Sequence, residues 1–170
     1  MIKPPHPQAL PDAAGLAREA VKGPSLKARA LKLLAMREYT RLELERKLAP
    51  HAESAEQLAQ ALDALQAKGF INEARVVESM LHRRAARLGA SRVRQELQAK
   101  GVAPGAIADA MEQLRSTELA RAREVWTKKF GTAAQDAKER ARQIRFLIGR
   151  GFGAEVVRRV VSGDADFSDA

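Results

Sequence analysis

One short phrase, closed by glycine and repeated fifty residues later, constrains this chain more than any other feature. The stretch Gly89-Ala90-Ser91-Arg92-Val93-Arg94-Gln95-Glu96-Leu97-Gln98-Ala99-Lys100-Gly101-Val102 reads as one short helix. Val93 and Leu97 lie four residues apart on one face, while Arg92, Arg94, Gln95 and Gln98 point elsewhere. Ser91 is the expected N-cap, because its hydroxyl can accept an unpaired amide of the first turn. Gly101 is the expected stop, in a left-handed conformation that is costlier for other residues. Pro104 then opens the next helix, where a missing amide does no harm. The end of this phrase matches Phe146-Leu147-Ile148-Gly149-Arg150-Gly151-Phe152, pairing Leu97 with Leu147 and Gly101 with Gly151. Glu43-Leu44 matches Glu96-Leu97 at a similar interval.

That repetition implies three helical units in tandem. In the first, Ser25 caps a helix from Leu26 to about Glu38, with Ala30, Leu31, Leu34 and Ala35 as its apolar stripe. Thr40 to Glu43 fits a capping box for a second helix, which Pro50 stops. Ser54 caps a third, with Leu58, Leu62 and Leu65 inward and Gly69 as its end. The pattern returns as Glu73 to Leu88, Ser91 to Lys100 and Pro104 to Leu114. It returns again as Thr117 to Phe130, about Gln135 to Arg150, and Ala154 to Val161. Helix formers dominate and no segment shows the period-two, β-branched pattern of strands. The expected fold is therefore all-α, a tandem array of three three-helix units, elongated and curved because each unit packs on its neighbours. The expected boundaries are a proline-rich disordered arm at 1–24, units at 25–71, 72–116 and 117–163, and an acidic tail at 164–170.

Charge is unevenly spread along this array. The net charge of +9 divides into +1 for residues 1–24, +2 for 25–71, +3 for 72–116, +6 for 117–163 and −3 for 164–170. A gradient of that kind points to a polyanionic or acidic partner; a merely solvated surface is the plainer reading. The chain has no cysteine, hence no disulfide and no thiolate chemistry. With no apolar signal core and no run near membrane-span length, the expectation is a cytoplasmic protein with no membrane association. His6, His51 and His82 are scattered, and Glu78 four residues before His82 is a surface pairing rather than a metal site. Gly149-Arg150-Gly151-Phe152-Gly153 lacks the Lys-Ser/Thr of a phosphate loop. Neither cofactor, metal site nor catalytic residue is expected, and the chain does not read as an enzyme.

Arg84 falls between Leu81 and Leu88 on the apolar side of its helix, either packing its stem at a unit boundary or pairing with a carboxylate of the next unit or of a partner. Arg83 and Arg87 sit on the flank. In unit three, Lys128, Lys129, Lys138, Arg142, Arg145, Arg150, Arg158 and Arg159 suit either a phosphate-contacting stripe or a solvated face. Trp126 and Phe130 are read as core rather than as base-stacking platforms. Tyr39, Phe70, Phe146 and Phe152 are read as plugs between helix ends.

Arg92-Val93-Arg94-Gln95-Glu96-Leu97-Gln98-Ala99-Lys100-Gly101-Val102 resembles the central signature of the RecX regulatory proteins, Arg-apolar-x-x-Glu-Leu-x-x-Lys-Gly-apolar. Gly69-Phe70-Ile71-Asn72-Glu73 resembles that family's Gly-aromatic-Ile-acidic-acidic phrase, with Asn72 in place of the first acid. Thr40 to Leu48 resembles its Ser-x-x-Glu-Leu-x-x-Lys-Leu, with Thr for Ser, and the third unit matches mainly through Gly151-Phe152. The resemblance spans about 25–163. It implies a modulator, usually an inhibitor, of the RecA recombinase; the chain itself is expected to be a monomer. Such a protein lodges in the groove of the RecA filament on single-stranded DNA and restrains strand exchange and ATP hydrolysis. Arg83, Arg84, Arg87, Arg92, Arg94, Lys100, Lys128, Lys129, Arg145 and Arg150 are the candidate nucleoprotein-binding residues. The residues alone leave a second reading open, a direct and largely non-specific DNA-binding module for single or double strands.

Overall fold

The computed structural model describes residues 23–163, so the expected arm (apart from Gly23 and Pro24) and the acidic tail lie outside the described residues. Nine α-helices and no strand occur among them. In chain order they are α1 Leu26–Leu34, α2 Arg41–Leu48, α3 Ala55–Ala67, α4 Glu73–Arg84, α5 Ala90–Ala99, α6 Pro104–Arg115, α7 Glu118–Lys129, α8 Ala137–Gly149 and α9 Ala154–Ser162. The dominant packing is α1 and α2 on α3, α4 and α5 on α6, and α7 and α8 on α9. Three separate apolar clusters result, one per helix triplet, as the repeat predicted.

The middle helices α2, α5 and α8 each drive one leucine to the centre of its cluster. Leu44, Leu97 and Leu147, the residues aligned by the repeat, are all 0% exposed. Each such burial stabilises by roughly 1.5–3 kcal/mol. Polar caps set most of the helix starts. Ser25 Oγ accepts from the Ala28 amide at 3.2 Å and Ser54 Oγ from Gln57 at 3.1 Å. Thr40 and Glu43 complete the capping box in both directions. Asn72 caps α4 by accepting from the Arg75 amide at 3.1 Å.

Several local expectations are corrected. α1 ends at Leu34, four residues before Glu38, and Leu31 is 38% exposed. The buried face runs through Leu26 and Ala30, with Leu33 and Leu34 half-buried. α4 stops at Arg84 rather than Leu88; residues 85–88 form a turn whose carbonyls are taken by another unit. α5 starts one residue earlier than expected, at Ala90, with Gly89 rather than Ser91 at the N-cap. Phe70 does not plug a gap, being 45% exposed, whereas Tyr39 and Phe152 are buried. Trp126 packs half-buried on the third cluster as a core residue. Its ring N–H donates to Gln143 Oε1 at 2.8 Å, and the buried Gln143 in turn donates to Thr132 O at 3.2 Å. Phe130 lies half-buried edge-to-face on Phe146, with ring centres 5.2 Å apart.

Candidate functional site

α5 is the element through which all three triplets are joined. At its N-terminal end the Gly89 amide donates to the carbonyl of Arg150 at 2.9 Å. Ser91 donates twice to the carbonyl of Gly151, from its amide at 3.2 Å and its hydroxyl at 2.8 Å. At its C-terminal end the Thr40 hydroxyl donates to the carbonyl of Lys100 at 2.7 Å. Thr40 and Gly89 are N-caps, and Lys100 and Arg150 are C-caps. Each joint therefore sets the start of one middle helix on the end of the next triplet's middle helix. Unpaired terminal groups satisfy each other, and the positive end of one helix dipole meets the negative end of another.

Space dictates the second joint. Gly151 turns the chain at φ +85°, and a Cβ on Gly89 would stand 2.2 Å from Gly151 C and O and from Phe152 N. Only backbone fits there. Around this contact, Glu118 Oε1 accepts from the amides of Ala90 and Gly153, both at 3.3 Å. Arg121 reaches from α7 into the turn after α4. It donates to Ala85 O at 2.9 Å, Leu88 O at 2.7 Å and Leu114 O at 3.0 Å, with Nε on Thr117 Oγ1 at 3.1 Å. Burial pushes the Arg121 guanidinium below its ordinary pKa, with Glu118 opposing. Neither Gly89 nor Arg121 was singled out by the sequence reading. The only signal for Gly89 was a glycine where α2 and α8 have the polar caps Thr40 and Asp136.

The first joint is made of side chains. Glu43 accepts from the Thr40 amide at 3.0 Å, from Arg37 at 3.0 Å and from Lys100 Nζ at 2.5 Å. Burial pushes the Glu43 carboxyl up, but the bonds from Lys100, Arg37 and the Thr40 amide outweigh it, and its pKa falls to about 2. Arg75 bridges the same joint, donating to Glu38 Oε1 at 3.0 Å. Glu73 Oε2 accepts from the Ala103 amide at 3.1 Å, tying α4 to the turn after α5.

The ten candidate basic residues separate into groups. Arg84 does not pack on an apolar face: α4 ends there, its buried face is Val76, Val77 and Met80, and Arg84 Nε donates to Glu96 Oε2 at 3.1 Å within the same triplet. Arg92 approaches the other oxygen of Glu96 at 4.0 Å. Arg150 lies over the Phe146 ring at 4.5 Å and donates to the carbonyl of Arg87 at 3.4 Å. Arg87 and Arg150 thus meet beside the second joint, while Arg84 and Arg92 share one carboxylate, that of Glu96. Arg83 and Arg94 are exposed, Arg83 donating to the carbonyl of Ser79 at 3.1 Å and Arg94 lying on the other side of α5 beside Val102 and Ile107. Lys100 belongs elsewhere, since it is committed to Glu43 in the first joint. Lys128 pairs with Glu124 on its own helix at 2.5 Å, and Lys129 and Arg145 are exposed without contact to the cluster. Of the wider unit-three set, Arg142 lies over Phe130 at 5.4 Å, Arg158 pairs with Glu155, and Lys138 and Arg159 are exposed.

Among the described residues no three His, Asp or Glu side chains group as a metal site requires. No described helix is long and apolar enough to cross a membrane.

The chain is similar to known proteins over most of its length. Residues 72–111 match the second three-helix domain of RecX, and residues 116–161 match the third. A regulatory protein RecX from Leptothrix cholodnii is 56% identical over 137 residues, covering 81% of this chain and 87% of the relative. One from Ralstonia pickettii is 45% identical over 151 residues, covering 85% and 95%. Among solved structures, RecX from Lactobacillus salivarius aligns with a TM-score of 0.64 at 18% identity, over 81% of this chain and 93% of that one. A second structure, a regulatory protein RecX, aligns with a TM-score of 0.66 at 21% identity, over 86% and 76%.

Proposed function

This chain belongs to the RecX family of regulatory proteins, and from that premise we propose that it inhibits the RecA recombinase by seating in the groove of the RecA–single-stranded DNA filament. In this reading it restrains strand exchange and ATP hydrolysis as a cytoplasmic, monomeric, non-enzymatic binder. Its units run 25–71, 72–116 and 117–163, and together form an elongated, curved array. One observation carries the reading. Arg83, Arg87 and Arg94 are exposed with no carboxylate within ion-pair distance among the described residues, and Arg84 and Arg92 share the single carboxylate of Glu96. That leaves positive charge in excess on the triplet that links the other two, a surface suited to a repeating, phosphate-bearing partner.

The test is RecA's DNA-dependent ATPase with this protein titrated in, against a variant reversing Arg83, Arg87 and Arg94 to Glu. Lys100 is left untouched, because its reversal would set two carboxylates against each other in the first joint. Weaker inhibition by the folded variant, with a flatter salt dependence, supports the reading. Unchanged potency at low salt makes these arginines a solvated face. No effect on the ATPase, together with salt-steep binding to bare DNA, makes the chain a direct DNA-binding module instead.

A further inference from the structure

The last two helices enclose a cleft of about 350 Å³ that has nothing to do with either joint. Its floor includes Ile144 of α8 and Val161 of α9, and its rim carries Arg140, Arg158, Arg159 and Glu155. Glu155 is paired with Arg158, three residues on. Arg140 and Arg159 have no carboxylate within ion-pair distance among the described residues, so the rim has two cations in excess around an apolar strip.

The chain beyond α9 carries the complementary chemistry. α9 ends at Ser162, and Gly163, at φ +74°, turns the backbone out of the helix directly beside Val161. Residues 164–170 are Asp164-Ala165-Asp166-Phe167-Ser168-Asp169-Ala170, three acids around one aromatic and no base. Seven extended residues reach up to about 25 Å, whereas α9 is about 13 Å long, so the tail can lie back along the whole helix. We propose that residues 164–170 occupy this cleft, with Phe167 over Ile144 and Val161 and the aspartates facing Arg140 and Arg159. A tether this short gives an effective concentration in the millimolar range, so individually weak contacts suffice. The tail is then a built-in competitor for any anionic partner of the most basic unit. The docking does not depend on which partner the array engages.

Because the chain lacks cysteine, Ala170→Cys carries a single nitroxide label on the otherwise intact protein. At low salt the label should broaden the amide signals of Arg140, Ile144 and Val161 and spare those of α1 to α3. Near 1 M salt, where the screening length is about 3 Å, the broadening should be lost. Phe167→Ala should also reduce it. Arg140→Glu with Arg159→Glu should abolish it while leaving the signals of the first two triplets in place. Broadening confined to Ser162 and Gly163 overturns the proposal. So does broadening that also appears when a spin-labelled chain is mixed with a separate isotope-labelled one, which would place the tail on a second copy.

Discussion

The two joints at the ends of α5 solve one geometric problem with different chemistry. Both seat an N-cap on a C-cap across a boundary between triplets, and both use a left-handed glycine on the receiving side, Gly101 against Leu42 and Gly151 against Arg92. The first joint closes over side chains: Glu43 between Lys100 and Arg37, and Glu38 with Arg75. The second closes over backbone, with Gly89 against Gly151 and Arg121 holding carbonyls from two elements. Side-chain ion pairs at a partly wet boundary respond to salt and pH. Backbone contact at van der Waals limits responds to neither, and tolerates no added atom. The first joint is therefore adjustable and the second rigid, and Arg87 and Arg150 meet beside the rigid one.

The largest way to break this contrast is Gly89→Ala. Its Cβ meets backbone atoms at 2.2 Å that no rotamer change can move, so α5 must separate from α8 and lose three hydrogen bonds. We expect a loss of roughly 3 kcal/mol or more, read as a lower melting temperature. Gly101→Ala at the first joint meets only the flexible Leu42 side chain and its φ of +75°, and should cost roughly 1–2 kcal/mol. Equal losses at the two positions would remove the distinction.

Arg121→Met comes next. It keeps most of the stem but leaves the carbonyls of Ala85 and Leu88 without their donor and that of Leu114 with the Thr117 hydroxyl alone, an expected cost of roughly 1–3 kcal/mol. Amide exchange should rise in the 85–91 turn and at the start of α5, and not at Thr40.

Glu43→Gln sharpens the comparison through pH. The carboxyl is lowered from 4.5 to about 2, so its charged form is favoured by folding. Its contribution is complete above about pH 4.5 and is lost as pH falls toward 2. Solvent at the rim reduces the effect to about 1 kcal/mol. In denaturant titrations at successive pH values, the parent should lose more stability through that window than the variant. A parallel loss in both would mean that Glu43 is not the group that titrates there. The Gly89→Ala deficit should stay constant across the same window.

Gly149→Ala gives the smallest effect. It lies at the end of α8, two residues from Gly151, yet nothing stands within 4 Å of an added Cβ. It should be neutral or stabilise by up to about 1 kcal/mol in the same melts. A large loss there would show that crowding at the second joint extends beyond the Gly89–Gly151 contact.

Much of the fold was legible because its signals are local. Thr40 with Glu43, Ser25, Ser54 and the left-handed glycines act within four residues of themselves, and the inward face of Leu97 follows from its four-residue spacing from Val93. The candidate site was legible only in part. Arg83, Arg87, Arg92 and Arg94 were picked out as basic, but charge on a helix surface does not reveal its partner. Arg84 was assigned to an apolar face by carrying helical rotation on to Leu88, and the helix had already ended. Lys100 was grouped with free cations although its carboxylate lies fifty-seven residues earlier.

The sequence by itself determined an all-helical chain, its division into three similar triplets and the leucines at their centres, since these depend on period and capping within one turn or two. Tertiary structure alone decided that Gly89 is a contact rather than a weak cap, that Ser91 donates to Gly151 instead of starting a helix, and that Arg121 binds two triplets together. Those roles belong to atoms brought within 3 Å from sixty or thirty-three residues away, and no local pattern encodes which carbonyl will be waiting there.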